Sequence, residues 1–327
     1  MKLGLTTKII AADTGSADVA ARCLGAGGLV GFPTETVYGL GADATDARAV
    51  ARLYEAKGRP SFNPLIAHVA DLAAAKAIAR LDERSLLLAE KFWPGPLTLV
   101  LPKASNCPVC DLATAGLDTI AVRVPAHPVT QAILRAFGKP VVAPSANLSG
   151  HISPTTAAHV LADLDGRIDL VIDGGPVSVG VESTIVGCFE QSMLLRPGGV
   201  ARADIEHVLG EALMRLPEDD ANKSSPLAPG MLASHYAPRT PVRLNARTIE
   251  QGEVLLAFGP DALAENTSGV MNLSQQGDLV EAAANLFSYL RALDTKGARG
   301  IAVMPIPKTG LGEAINDRLR RAAVPQN

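Results

Sequence analysis

The sequence has little that would carry a protein into or across a membrane. No run of about 18 apolar residues occurs, the least that a membrane helix needs. The opening stretch MKLGLTTKIIAADTG has no apolar core behind its lysines, which argues against a secretory leader and makes the cytoplasm the expected compartment. An excess of one charge is also missing. The formal net charge is −3 and the pI about 6.1, which argues against bulk electrostatic capture of nucleic acid but leaves room for a local basic patch. The four cysteines, Cys23, Cys107, Cys110 and Cys188, provide one CPVC, with no second CxxC and no HxxxH. A closed zinc site needs two more ligands at compact spacing. KASNCPVCDLATAG also reads as a loop between strands, so two incidental thiols are the leading reading and a redox or metal role the minor one.

The common phosphate-binding and nucleophile motifs are absent too. There is no G-x-x-x-x-G-K-[ST], hence no P-loop. The glycines of GAGGLVG (25–31) miss the G-x-G-x-x-G spacing and precede a strand instead of following it. They read as a helix end leading into that strand. Ser145 in PSAN has no G-x-S-x-G around it, so a serine nucleophile is disfavoured. No internal repeat is visible.

What is there is a globular composition, 47% hydrophobic and 19% charged, in a chain of 327 residues, long enough for two domains. Up to about residue 215, strand-like and helix-like pieces alternate. LVGF, LIAHV, LTLVLP, TIAVRVP, VVAPSAN, DLVIDGG, STIVGCF and MLLRPGG read as strands. TDARAVARLYEAKG reads as a helix with Asp46 as N-cap and Gly58 as stop, and Asp71 caps a second, alanine-rich one. DERSLLLAEKFWPGP, HPVTQAILRAFGKP and ARADIEHVLG read as further helices. SPTTAAHVLADL is expected to start with Ser153 as cap and Pro154 at the first helical position. Residues 216–241 turn proline-, serine- and charge-rich and read as a linker. EVLLAFG, GVMNLS, LVEAAANLFSYLRALD, GIAVMPIP and LGEAINDRLRRAAV then make a small α/β domain over 242–327.

Polar and cationic side chains cluster at the strand ends. FPTETVYGLG (32–41) places Thr-Glu-Thr at the end of an apolar strand, with two glycines behind, as a ligand wall or a plain turn would. AKGRPSFNPL puts Lys57 at a helix end and Arg59 on a proline-stiffened loop, an arrangement suited to a polyphosphate. Ser145 and Asn147 follow the strand VVAP, where α/β sheets bind ligands. Arg123 lies inside an apolar strand and must be edge-exposed or paired with an anion. VESTIVG and LLRPGG add Ser183 and Arg196 at further strand termini, and His68 sits between apolar neighbours, where a core histidine is the commoner case.

With FPTETVYGLG, KGRP, TIAVRVP, PSAN, ESTIV and LLRPG in this order, the chain resembles the threonylcarbamoyl-AMP synthases, the YrdC-like family, in their long two-domain form. The resemblance runs over about residues 13–210 and extends to APGMLASHYAP (228–238) and the small domain. It implies a twisted mixed sheet flanked by helices, plus a small Rossmann-like C-terminal domain. It also implies a nucleotidyltransferase that joins L-threonine, bicarbonate and ATP into threonylcarbamoyl-AMP and pyrophosphate, with Mg²⁺ on the ATP phosphates and no metal cage in the protein. The product would pass to the tRNA threonylcarbamoyl-transfer machinery, with at most weak RNA contact by this chain. By resemblance Lys57, Arg59, Thr119, Ser145, Asn147, Ser153, Arg196 and Tyr236 touch ATP, Lys57 and Arg59 act in catalysis, and Thr34, His68, Arg123 and Ser183 hold threonine. FPTETVYGLG then becomes a wall of the amino-acid pocket, with Gly39 and Gly41 letting the backbone come close, and APGMLASHYAP a candidate lid. An RNA-binding module without catalysis is the alternative, disfavoured by the acidic pI.

Overall fold

The computed structural model describes residues 6–215, 236–260 and 269–324. Their strands form two sheets. The larger runs in the order β1 (Lys8–Ala11), β8 (Leu170–Asp173), β2 (Val30–Pro33), β3 (Tyr38–Asp43), β7 (Val141–Val142), β4 (Ile66–His68), β6 (Thr119–Arg123), β5 (Leu97–Pro102), β9 (Thr184–Cys188), β10 (Ser192–Arg196) and β11 (Met214–Arg215). It is mixed, with β2 antiparallel to β3 but parallel to β8, and β5 antiparallel to β6 but parallel to β9. The smaller sheet, β12 (Val242–Arg243), β15 (Gly300–Val303), β13 (Glu253–Ala257) and β14 (Val270–Asn272), is parallel throughout. This is the mixed sheet plus Rossmann-like unit that the resemblance implies.

Local chemistry explains why many elements begin and end where they do. In α2 (Ala47–Lys57) the Asp46 carboxylate accepts from Arg48 N, and Gly58 closes the helix at φ +59, a conformation that favours glycine. Asp71 and Asp82 cap α3 (Leu72–Ile78) and α4 (Glu83–Phe92) in the same way, and Gly138 and Gly210 end α5 (Pro128–Phe137) and α7 (Arg202–Leu209) at positive φ. One cap differs from the expectation. α6 runs over Ala157–Leu164 and its N-cap is Thr156, which accepts from His159 N. No helix opens at Ser153 because the next carbonyls are engaged elsewhere: Pro154 O accepts from Tyr38 N at 2.9 Å and Thr155 O from Val177 N at 3.1 Å. Thr156→Ala is therefore expected to lower the unfolding free energy by about 0.5–2 kcal/mol. An unchanged urea midpoint in that variant would remove Thr156 as the cap.

The glycines of FPTETVYGLG also serve a different purpose from the one expected. YGLGAD is itself the buried strand β3, a hairpin partner of β2. A Cβ on Gly41 would meet the Phe32 ring at 2.5 Å, and one on Gly39 would meet Ala143 Cβ at 3.2 Å. They make room for a phenyl ring and a neighbouring strand, not for a ligand backbone approach. Among the cysteines all four are free, and Cys107 and Cys110 pack against the main core. Burial raises the thiol pKa of Cys110, and that of Cys23 to about 11 and Cys188 to about 12.

Strand alternation sorts the central strands into two faces. Ala67, Leu99, Ile120 and Val122 point into the main hydrophobic core under the helices. Ile66, Val100, Ala121, Ile185 and Leu195 form a separate small apolar cluster on the other face. The small domain packs on the rim of that second face. Val37, Ile152, Val181 and Tyr236 share one buried cluster with Leu286, Phe287 and Leu290 of α8 (Leu279–Asp294) and with Ile315 and Leu319 of α9 (Leu311–Ala322). The approach is close, for a Cβ on Gly180 would lie 2.3 Å from Ala283 O. The linker expected over 216–241 falls mostly on 216–235, outside the described residues, and so do residues 228–235 of the candidate lid.

Candidate active site

The two faces meet a cavity at the ends of β4, β6 and β10. Its wall includes Thr36, Arg59, His68, Arg123, Ser145, Glu182, Ser183, Arg196 and Tyr236. It is narrow, about 50 Å³, and larger crevices exist, one of about 480 Å³ between α7 and α9 and an apolar one of about 710 Å³ beside α3 and α5. Size does not single it out; chemistry does. Three buried arginines converge here, in a place where a cation is costly unless something anionic answers it.

His68 and Arg123 end neighbouring parallel strands in register, so their side chains stand together on one sheet face. Arg123 is 4% exposed, and its Nη2 donates to Glu35 Oε1 at 2.6 Å, Nη1 to Thr36 Oγ1 at 3.0 Å and Nε to Gly95 O at 3.2 Å. A guanidinium has five N–H groups, so one on Nη1 and one on Nη2 remain for a ligand. Burial alone would raise the Glu35 pKa, but the charge and hydrogen bond of Arg123 outweigh it and hold the carboxyl below its usual range. The His68 Nδ1 lies 3.1 Å from Ile66 O. A carbonyl only accepts, so Nδ1 carries the proton. Burial, then the charge of Arg123, pushes the His68 pKa down to about 3. The ring is neutral at working pH, and Nε2 is left as an acceptor.

The opposite wall comes from β9 and β10. Arg196 donates through Nε and Nη2 to Ser183 O at 3.2 and 2.9 Å, and Nη2 also reaches Ser183 Oγ at 3.2 Å. Ser183 Oγ is in turn 2.7 Å from Thr98 Oγ1. Arg59 donates from Nε to Asn63 O at 3.4 Å and from Nη2 to Pro64 O at 3.1 Å, and burial pushes its pKa down to about 10, which leaves it charged near neutrality. Tyr236 is 1% exposed and stacks on Phe287 with ring centroids 5.5 Å apart.

Among the expected site residues, Arg59, Ser145, Arg196, Tyr236, His68, Arg123 and Ser183 thus line one cavity. Lys57, Asn147, Ser153 and Thr34 sit behind that wall. Lys57 is 2% exposed and its Nζ donates to the carbonyls of Ser145, at 2.5 Å, and of Asn147. Burial, with Arg59 nearby, lowers its pKa well below the usual lysine value. It braces the PSAN loop from behind, where the sequence had suggested a point charge on a phosphate. The Asn147 Nδ2 donates to Leu148 O and His151 O, which fixes the amide and leaves Oδ1 buried without a partner among the described residues. Thr34 Oγ1 donates to Val37 O at 2.7 Å and closes the β2–β3 turn, and it is Thr36 that reaches the cavity. Thr119 is at the far end of β6, on the same face as Ala121 and Arg123 but roughly 13 Å from Arg123 by strand rise.

Sequence reasoning missed Glu35, Thr36, Glu182 and Arg318. Glu182 lines the cavity; burial alone would raise its pKa, but Arg318, Arg196 and Ser153 bring it to about 2. Glu35 and Thr36 were visible only as short polar residues of FPTETVYGLG. Arg318 had a signal. In α9 the apolar stripe Leu311, Ala314, Ile315, Leu319, Ala322 includes position 318, and a charge on such a stripe must be paired inside.

A mixed α/β sheet with buried cations at the ends of its strands defines an enzyme site for small anionic substrates. Comparison with known proteins gives the family. Residues 22–198 match the Sua5–YciO–YrdC family described as "Telomere recombination", and residues 200–324 match "Threonylcarbamoyl-AMP synthase, C-terminal domain". The threonylcarbamoyl-AMP synthase of Bacillus subtilis (strain 168) is 42% identical over 310 residues, covering 90% of this chain and 89% of the relative. That of Pyrococcus abyssi is 42% identical over 323 residues, covering 93% of each. The crystal structure of P. abyssi Sua5 complexed with L-threonine superposes with a TM-score of 0.89 at 39% identity, over 97% of this chain and 98% of the other. The chain belongs to the threonylcarbamoyl-AMP synthase family.

Proposed function

We propose that this chain joins L-threonine, bicarbonate and ATP into threonylcarbamoyl-AMP, releasing pyrophosphate. The observation that carries the reading is the convergence of Arg59, Arg123 and Arg196 with a neutral, acceptor-bearing His68 on one cavity. Threonine offers a carboxylate for the two remaining N–H groups of Arg123, and a hydroxyl or amine hydrogen for His68 Nε2. Ser183, held by Arg196 and Thr98, stands beside them.

ATP would extend from this end along the sheet face over Ile66, Ala121 and Leu195 toward Thr119, a span that an extended nucleotide can bridge. Lys57 would act through the PSAN loop, and Asn147 Oδ1 would accept from an amino or hydroxyl group. No covalent enzyme intermediate is needed. The threonine amine takes up the carbon of bicarbonate with loss of water, and a carbamate oxygen then attacks the α-phosphorus as pyrophosphate leaves. The protein holds two anions together and offers Arg59 and Arg196 to the phosphate charge, which is positioning and electrostatics.

Among the described residues no cluster of three or more His, Cys, Asp or Glu could cage a metal. The residues present fit an ion that arrives on the ATP phosphates, as Mg²⁺ usually does. When bound, it would neutralise phosphate charge. The product would supply a tRNA-modifying transferase, and the work would be cytoplasmic; no helix among the described residues is long and apolar enough to cross a membrane.

The test is pyrophosphate release from ATP with threonine and bicarbonate omitted in turn. The reading requires both, and release that needs neither would mean a different nucleotide hydrolase. Serine is expected to replace threonine with roughly 10- to 200-fold lower kcat/KM, the worth of one methyl in a pocket. Equal use of the two amino acids would show that no side-chain pocket forms.

A further inference from the structure

The small domain does more than cap the catalytic one. Arg318, from α9, is 0% exposed and reaches out of its own domain. Its Nε donates to Glu182 Oε2 at 2.8 Å, and its Nη1 to Pro197 O at 2.7 Å and to Asp317 Oδ2 at 2.8 Å. Its guanidinium lies 5.4 Å from the centre of the Tyr236 ring. Glu182, Tyr236 and Arg196, the residue before Pro197, all line the cavity. The other oxygen of Glu182, Oε1, accepts from Ser153 Oγ. One buried arginine from the second domain thus touches three separate pieces of the cavity wall.

A buried ion pair is weak evidence for stability, because desolvation offsets much of the attraction. Arg318 also keeps Nη2 buried without a hydrogen-bond partner among the described residues, a further cost. Its burial is better accounted for by what it holds in place.

We infer that Arg318 is a positioning residue of the active site: it fixes the Glu182 carboxylate in the cavity wall and, through it, the Ser153 hydroxyl just behind that wall. The inference rests on the proposed synthase reading and adds to it a role for the C-terminal domain. Because Ser153 gives its only hydroxyl hydrogen to Glu182, it can act toward a substrate only as an acceptor. That matches a ribose hydroxyl or an amine, not a phosphate oxygen. Glu182 must remain ionised to hold it. The groups that act on Glu182 are Arg318 from α9, Arg196 from β10, Tyr236 and Ser153, while Asp317 pairs with Arg318 and Arg321 within α9. With Arg318 present, the carboxylate stays charged at any working pH. Without it, the Glu182 pKa rises and the carboxylate takes up a proton as pH falls.

The experiment is steady-state pyrophosphate release by the full chain, followed across pH, for wild type, Arg318→Met, Ser153→Ala, their double variant, and Arg318→Met with Glu182→Gln. Arg318→Met is expected to lower kcat/KM about 10- to 100-fold. Adding Ser153→Ala should lower it by no more than about threefold further, since both act through one contact. Arg318→Met should also gain an acidic limb, activity falling with pH, that wild type lacks and that the Glu182→Gln combination removes. Independent, multiplicative losses, a loss equal at all pH values, or full activity of Arg318→Met would overturn the inference while leaving the synthase reading intact. Wild type that releases pyrophosphate without threonine would instead overturn that reading. If Arg318→Met does not fold, Arg318→Lys keeps the charge beside Glu182. Activity without the acidic limb then supports the role, and an acidic limb despite the retained charge contradicts it.

Discussion

Replacing Arg123 by leucine is expected to weaken threonine binding by roughly 10- to 150-fold, and to lower the unfolding free energy by about 3–5 kcal/mol. The first figure is the loss of a charge-assisted pair with the substrate carboxylate, about 1.5–3 kcal/mol. The second comes from Glu35. Its carboxylate loses Arg123 Nη2 at 2.6 Å and stays buried with backbone donors but no countercharge, Ala126 N at 3.0 Å and its own N–H. Removing one partner of a buried ion pair is far more costly than replacing both. Calorimetric titration with L-threonine and chemical denaturation measure the two effects separately. Unchanged threonine affinity in a folded Arg123→Leu variant would place the amino acid elsewhere.

Lys57→Met should have a comparable effect by another route. The buried carbonyl Asn147 O loses its donor, while Ser145 O keeps Asn147 N at 3.0 Å. At about 1–3 kcal/mol for an orphaned acceptor, the variant should be about 1–3 kcal/mol less stable. Turnover should fall roughly a hundredfold, because the loop carrying Ser145 and Asn147 shifts out of register with the substrates. A point charge acting on phosphate would instead lose turnover with stability intact, so thermal denaturation beside the rate measurement separates the two roles. Unchanged stability would restore the direct phosphate contact.

How much of this could be read from the chain depends on the range of the interaction. Helix boundaries were legible wherever the determinant is a neighbour: Asp46 and Asp71 cap, and Gly58 stops, as their spacing suggests. The same logic misplaced the cap of α6. Pro154 O and Thr155 O accept from Tyr38 N and Val177 N, far away in the chain, and that competition has no local trace. Gly41 looked like room for a ligand because the Phe32 ring that fills the space belongs to the facing strand. The cations Arg59, Arg123 and Arg196 were legible because charge on a stiff loop or an apolar strand demands a partner. Their partners were not. Glu35 and Arg123 are 88 positions apart, and Glu182 and Arg318 are 136 apart. Only the folded chain brings them together, which is why the cations of the cavity were readable and the arginine that reaches its wall from the second domain was not.

One cavity is expected to hold both substrates, with threonine at the Arg123 and His68 end and the nucleotide running toward Thr119. A crystal structure of this chain soaked with L-threonine and a non-hydrolysable ATP analogue tests it directly. The threonine carboxylate is expected on Arg123 Nη1 and Nη2, with the α-phosphate between that carboxylate and Arg59 or Arg196. Threonine or the triphosphate bound in either larger crevice, with the Arg123 cavity empty, would contradict it.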